Sequence, residues 1–538
     1  MSSLVLYRNG SIYTAADPFA TAMLVEGGTV AWVGSESAAS ALLDSRMEVV
    51  DLEGALVAPA FFDSHVHLTE TGLALTALDL RGAGSLAQAL DAVAGHAAAG
   101  PGPVLGSGWD ETAWPEGRGP SAEELERAAG GRDVYLARVD LHSAAVSTGL
   151  AVRAGLAAHE GWDGAGGVRG PAHAAIRAAV LDLDGTTRAG LQRRGLEHLA
   201  SNGYAAAAEM AAPHIAGRAD LEALFHLLDA EGEALPRIYA YWGEAVGTAE
   251  QARSLAGSFG GPLAGLGGDL CVDGSIGSRT ARLRAPYTDA PETRGTLHLD
   301  AAAIASHVAA CSAAGIQAGF HAIGDAAIDE TVAGLGLAAE RVGLAAVQAG
   351  RHRIEHAEMA DDAAIEALLG FGVTASLQPL FDAAWGGAEG LYARRLGAGR
   401  AAGMNEVGRF LAAGVPVALG SDSPVVPASP WLAVKACLEL TSERARISAR
   451  AAFLAHTRAG YRAVGEPSPL AGQLGPGTEA TFAVWQASEL AVQTPDLRVS
   501  SWSTDARAGT PMLPVLDEGA PRCLRTVRNG RVIFDATK

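Results

Sequence analysis

Apolar and polar positions along this chain fall into two regimes. Up to residue 55 the apolar blocks are short and glycine separates them. Leu4-Val5-Leu6-Tyr7 precedes Asn9-Gly10, Ala22-Met23-Leu24-Val25 precedes Gly27-Gly28, and Val30-Ala31-Trp32-Val33 follows. Strand, glycine turn, strand predicts hairpins. The C-terminal stretch repeats the style, with Ala480–Trp485 and then Thr526–Phe534 around Asn529-Gly530. Neither end can build a stable core alone. The expectation is one composite β domain, a small β-sandwich, from residues 1–55 and 475–538.

Between them, across residues 56–474, strand-like and helix-like blocks alternate. The apolar run Ala55–Phe61 leads into Phe62-Asp63-Ser64-His65-Val66-His67. Further strands are predicted at Tyr204–Glu209, Arg237–Trp242, Leu270–Asp273, Ile316–His321, His352–His356, Val373–Gln378 and Val415–Ser421. Amphipathic helices are predicted at Asp220–Glu231, Ala301–Ala314, Asp325–Ala346 and Met404–Ala413. Eight such units predict an α/β fold, a (β/α)8 TIM barrel. An open doubly wound sheet is disfavoured, because no glycine-rich phosphate fingerprint follows a strand.

One spacing is out of line. Far more residues separate the first strand from the second than one βα unit needs. Residues 70–190 are therefore expected to form an inserted subdomain, containing Val104–Asp110 and Val134–His142. An insertion after strand 1 leaves at the C-terminal mouth of a barrel, where it can shape a substrate pocket.

Composition narrows the picture. The chain has 538 residues, ample for a sizeable core, and aromatics are only 6 %. Its formal net charge is −20 and no basic stripe appears, which argues against a nucleic-acid partner. Cys271, Cys311, Cys437 and Cys523 are far apart and form no CxxC pair, so neither a disulfide framework nor a cysteine-type zinc site is expected. No basic leader and no uncharged run of membrane-spanning length is present. The expectations are a cytoplasmic protein without a membrane partner, a small-molecule substrate, and compatibility with a homodimer.

Candidate chemistry sits at the predicted strand ends. His65 and His67 are two apart on a strand and share a face. Strand 5 ends in His321, strand 6 in His356 and strand 8 in Asp422. In a barrel these ends converge on one mouth. Four imidazoles and a carboxylate suit a divalent metal, zinc above others. His96, His226, His307 and His352 lack this placement and are read as solvated or packed.

The constellation resembles the amidohydrolase superfamily. The finer pattern resembles its YtcJ-like branch (amidohydrolase family 3, N-substituted formamide deformylase-like). The segments that carry the likeness are Phe62–His67, Gly108-Trp109-Asp110, Asp273–Ala281, His321–Asp325, Arg353–His356 and Gly420–Pro424. The resemblance implies a metal-dependent hydrolase that cleaves an amide-like C–N bond through a metal-activated water. It implies His65, His67, His321, His356 and Asp422 as metal ligands, with Asp422 as proton carrier. His356 is either a ligand or a donor to the developing oxyanion. His142, Arg279 and Trp109 are weaker substrate-contact candidates. Two alternatives remain open: a metal-dependent deaminase of a cyclic amidine or nucleobase, and a catalytically silent barrel acting as a binding protein.

Strand 4 departs from the family pattern. Where the resemblance places a carboxylated lysine that bridges two metals, this chain has Asp269. Aspartate carries its carboxylate on a far shorter stem and cannot reach the same point without backbone movement. Asp269, Cys271 and Asp273 alternate and are expected to share a face, so Asp273 or a Cys271 thiolate could substitute; Glu209 is another carboxylate near the mouth. One tightly held ion is favoured over two.

Overall fold

The computed structural model describes residues 4–493, 502–503 and 510–537. Residues 1–3, 494–501, 504–509 and 538 of the expected terminal domain lie outside the described residues.

Eight parallel strands form the barrel: β1 (Phe61–Val66), β2 (Tyr204–Ala211), β3 (Arg237–Trp242), β4 (Leu263–Leu266), β5 (Gln317–Ala322), β6 (Arg353–His356), β7 (Thr374–Leu377) and β8 (Val417–Leu419). They pair in chain order. At the mouth, β8 meets β1: Asp422 N donates to His65 O at 2.7 Å and His67 N to Ser423 O at 3.0 Å. Strands buried on both faces read as near-continuous apolar runs, and β2 is buried at every position. Its alanines serve two surfaces. Ala206 and Ala208 pack inside the barrel with Phe62 and Tyr241, while Ala205 and Ala207 face the helices. Tyr461, from the helix Arg458–Ala463, packs on Phe62 at the N-terminal end, with ring centroids 4.9 Å apart.

Caps mark the helix limits. Asp300 accepts from Ala303 N at 2.8 Å to start Ala301–Ala314, and Gly315, at φ 70°, ends it. The predicted helix Asp325–Ala346 is two helices, Asp325–Val342 and Leu344–Gly350, because Gly343 at φ 88° breaks it.

The termini build two sheets side by side. One holds Thr29–Gly34, Ala22–Glu26, Leu4–Arg8 and Glu48–Asp51. The other holds Ser11–Ile12, Leu56–Pro59, Phe482–Gln486, Arg522–Arg528 and Arg531–Asp535. The run Ala55–Phe61 is therefore not all barrel strand: Leu56–Pro59 pairs with Phe482–Gln486, and β1 begins only at Phe61. Phe61 sits edge-on to both Trp431 and Trp485, which ties the barrel to this sheet.

Between β1 and β2, a five-stranded sheet runs in the order Gly167–Arg169, Ser143–Val146, Val134–Arg138, Val104–Trp109, Leu78–Asp79. Among the described residues, no helix is long and apolar enough to cross a membrane.

The position of strand 4 is a correction. Leu270–Asp273 alternates like a strand, yet β4 is Leu263–Leu266. Gly267 at φ 144° and Gly268 at φ 71° turn the chain out of the ladder. Residues 270–272 then lie along the end of β5, where His321 N donates to Leu270 O at 3.2 Å and Val272 N to His321 O at 2.9 Å.

Candidate metal centre

Three imidazoles are held by the nitrogen that faces away from the centre. His65 Nδ1 lies 3.1 Å from Glu355 Oε2. His356 Nδ1 lies 2.9 Å from Gln378 Oε1, and His321 Nε2 lies 3.2 Å from Gly274 O. Each acceptor fixes the proton on that nitrogen and leaves the other as a lone pair directed inward. Glu355 is itself anchored, accepting from Arg353 Nε at 2.8 Å and Nη2 at 3.0 Å. Burial would raise the Glu355 pKa, but the Arg353 guanidinium outweighs it and holds the carboxyl down to about 2. It is thus a carboxylate orienting His65.

Two carboxylates complete the cluster. Asp269 Oδ1 lies 3.6 Å from His65 Nε2, 3.5 Å from His321 Nδ1 and 3.9 Å from His356 Nε2; its Oδ2 lies 3.2 Å from His67 Nε2. Asp422 Oδ1 lies 3.5 Å from His65 Nε2 and 3.2 Å from His67 Nε2. The aspartate does reach, and the backbone supplies the movement. A Cβ on Gly267 would stand 2.2 Å from Gly319 N, and one on Gly268 would stand 2.3 Å from Met210 Sδ. Only glycine lets the chain turn inward there. Strain recurs within the cluster: His356 sits at φ 69° and Asp422 at φ 56°. Non-glycine residues rarely adopt such angles, and those that do cluster at functional sites.

The donor set fits a divalent cation. His65 Nε2, Asp269 Oδ1 and Asp422 Oδ1 are buried with no hydrogen-bond partner. Leaving such atoms unpaired is costly. Two overlapping groups, His65–Asp269–His356 and His65–His67–Asp422, each bring their ligand atoms within 4.8 Å of one another. Imidazole nitrogen with carboxylate oxygen is a borderline-to-hard set, suited to zinc and its neighbours.

The other sequence candidates lie around the cluster or away from it. Asp273 lines the cavity, but its Oδ1 lies 3.9 Å from the outward Nε2 of His321, behind that ring. Its carboxylate accepts from Arg282 N, Ile323 N and Gly324 N at 2.8–3.0 Å, so it shapes the loops around β5. Asp269, Cys271 and Asp273 all line the cavity, as their alternation suggested, although they lie beyond β4 rather than on it. Arg279 pairs with Asp289 at 2.7 Å and does not line the central cavity. Trp109 is buried in the insertion, donates Nε1–H to Leu136 O at 2.8 Å and packs on Trp114. Both are structural, and the Gly108-Trp109-Asp110 segment locks the insertion: Arg138 bridges Asp110 at 2.7 Å and Glu111 at 2.8 Å. Glu209 accepts from Leu68 N at 2.9 Å and is pushed up to about 8 by burial. Cys271 Sγ lies 3.5 Å from His214 Nε2 rather than in the cluster. His142 does reach the site, its ring 5.2 Å from that of His321. Burial, with His321 beside it, lowers its pKa to about 3.

A cavity of about 590 Å³ opens over the cluster. His67, Asp269, His321, His356 and Asp422 form its base. His142, Arg169, His173 and Arg177 line it from the inserted region, so that region covers the mouth. Sequence reasoning missed His173, His214 and His298, which also line it, because no local spacing links them to the strand ends. It also missed Asp63, which accepts from Ser421 N at 2.8 Å and Ser421 Oγ at 2.5 Å and so pins the segment carrying Asp422 to β1. An acid within an apolar run, two residues before the His-x-His pair, was the available signal.

A TIM barrel with histidines and aspartates gathered at its mouth defines a class, and comparison agrees. The family model for the amidohydrolase family matches residues 48–534, and the chain belongs to that family. Within it the chain falls in the YtcJ-like branch: it is 25 % identical over 468 residues to YtcJ of Bacillus subtilis (strain 168), covering 80 % of this chain and 83 % of that protein. It is 27 % identical over 531 residues to LONG AFTER FAR-RED 3 of Arabidopsis thaliana, covering 89 % and 86 %. Among solved structures, an uncharacterized metal-dependent hydrolase from Pyrococcus furiosus superposes with a TM-score of 0.68 at 28 % identity, covering 89 % of this chain and 98 % of that one. Family and neighbour together support hydrolysis that depends on a metal.

Proposed function

We propose that this chain hydrolyses an amide-like C–N bond in a small molecule, using one divalent ion, zinc. The observation that carries this reading is the convergence of four imidazoles and two carboxylates beneath a cavity of about 590 Å³. His65, His67, His321, His356 and Asp269 would hold the ion, with Asp422 at its edge. A divalent ion in such a site acidifies water and polarises a carbonyl.

The chain's own residues do the rest. Asp422 Oδ1 is free of hydrogen bonds, and the Asp422 side chain faces the cavity. It takes the proton from the attacking water and returns it to the leaving nitrogen. His356 is a ligand rather than an oxyanion donor, because its Nδ1–H is spent on Gln378. His142, reaching in from the insertion, offers a hydrogen bond to the substrate's oxygen. The insertion also keeps bulk water from the reacting bond.

The test is a panel of N-formyl and N-acyl amines and cyclic amidines, supplied to zinc-loaded protein. Release of amine and carboxylic acid is the expected outcome. Ammonia from a ring amidine would instead make the chain a deaminase. No turnover of any member would favour a binding protein.

A further inference from the structure

The cavity over the metal centre has a neighbour. A crevice of about 40 Å³ lies between the helix Leu68–Ala74 and the inserted sheet. It shares Glu70, Leu141 and Arg177 with the main cavity, so the two spaces adjoin. Two helices run along both. In Gly170–Val180, His173 and Arg177 line the main cavity, while Arg177 and Val180, with Leu181 just beyond, line the crevice. Steps of three and four residues keep these side chains on one helix face. In Leu68–Ala74, which starts right after His67, Glu70 borders both spaces, and Leu73 and Ala74 border the crevice. At a helical rise of about 1.5 Å per residue, Ala74 stands about 10 Å along the axis from His67. The crevice wall is apolar, built by Leu73, Ala74, Leu105, Ala137, Val180 and Leu181. The charged side chains at its edge pair with each other, Glu70 through Oε1 and Arg177 through Nη2. The Tyr135 hydroxyl, also at the edge, lies 3.1 Å from His173 Nε2.

Such a space accepts carbon and rejects charge. An apolar group seated there leaves water for apolar walls. An anion or an ammonium would give up its hydration and find no free counter-charge. We propose that the crevice is the subsite for the end of an apolar arm of the substrate, an alkyl or arylalkyl group about eight carbons long, that lies along Gly170–Val180 from the metal centre. The crevice has room for the last carbons of the arm, and the main cavity of about 590 Å³ takes the rest of the molecule. Ala74 and Val180, small side chains on its facing walls, set the length that fits. The inference rests on the hydrolase reading, for it takes the ligand cluster to be where the substrate reacts.

Hydroxamates with tails of rising length test it, because the head binds a metal and the tail reports the crevice. Affinities of acetohydroxamate, hexanohydroxamate and octanohydroxamate for zinc-loaded protein are measured by calorimetry. Each seated methylene is worth about fourfold, so wild type should bind octanohydroxamate at least about tenfold more tightly than acetohydroxamate. Ala74→Phe fills the crevice and should cut that ratio below about threefold, with zinc content and acetohydroxamate affinity as in wild type. Val180→Phe fills it from the facing wall and serves if the first variant does not fold. A flat series in wild type, or a tail preference that survives in a folded variant, would overturn the proposal and leave the metal centre standing. Failure of acetohydroxamate to bind zinc-loaded protein would overturn the metal centre and this inference together. Turnover is measured separately, so the hydrolase reading is judged by its own assay.

Discussion

Asp269 Oδ1 stands 3.6 Å from His65 Nε2 although the strand that precedes it ends at Leu266. The two residues come from opposite sides of the barrel. They meet because Gly267 and Gly268 take backbone angles that direct the following aspartate toward the axis.

That bend can be tested. Gly267→Ala puts a Cβ 2.2 Å from Gly319 N at a φ of 144°. The strain and the clash together should cost about 2–4 kcal/mol. Metal affinity should fall with stability, because Asp269 is displaced. Thermal melting and metal content of the same sample check both. A variant with wild-type melting and metal content would show that the turn does not need glycine.

The support behind His65 makes a second prediction. Arg353 and Glu355 are fully buried and paired at 2.8 Å. Arg353→Met leaves a buried carboxylate without its partner, which typically costs about 3–5 kcal/mol. Glu355→Gln keeps an acceptor near His65 but removes the charge. It should weaken metal binding about 10–100-fold with a smaller loss of stability. Denaturant unfolding of the metal-free proteins and a metal titration separate the two effects.

Acid sensitivity has a source away from the centre. His307 accepts from Val246 N at 3.1 Å through Nδ1, and its Nε2 lies 3.1 Å from Leu266 O. This arrangement needs the neutral ring, and burial lowers its pKa from 6.5 to about 4. The unfolded chain therefore takes up a proton that the folded chain refuses. Stability from this group is complete above pH 6.5 and falls by about 1.4 kcal/mol per pH unit as pH drops toward 4. His307→Gln should flatten that part of the stability curve relative to wild type. Parallel curves for the two proteins over this window would contradict the assignment.

Ligand and proton carrier should separate by mutation. His67→Ala is expected to lose both metal and turnover while the barrel still folds. Asp422→Asn is expected to lose turnover by at least about 100-fold while keeping much of the metal, because an amide oxygen can stay near the ion but cannot take a proton at neutral pH. Near-wild-type kcat in Asp422→Asn would remove Asp422 from its role.

How much of this was legible in the sequence depends on range. His65, His67, His321 and Asp422 could be read because each follows an apolar run, and His356 because it closes a short strand; barrel topology gathers strand ends. Strand 4 could not be placed. Leu270–Asp273 has the alternation of a strand, while Leu263–Leu266 has only a weak apolar signal, and the pattern does not reveal that Gly267 and Gly268 leave the ladder. Trp109 and Arg279 illustrate the opposite error. Both lie in family-like motifs, yet Trp109 packs inside the insertion and Arg279 pairs with Asp289. The Asp273–Ala281 segment does border the cavity, through Asp273, Gly274 and Thr280, but the Arg279 side chain is not among the residues that line it. His173 and His298 reach the cavity from loops and helices far apart in the chain, and no periodicity announces such long-range meetings.

The central claim is that this cluster binds one divalent ion through Asp269 and its surrounding imidazoles. Elemental analysis of protein purified without added metal tests it most directly, with Asp269→Ala measured alongside. The account predicts about one zinc per wild-type chain and a large loss in the variant. A folded wild type that takes up no divalent ion even when it is supplied, two tightly bound ions per chain, or full metal retention without Asp269 would contradict it.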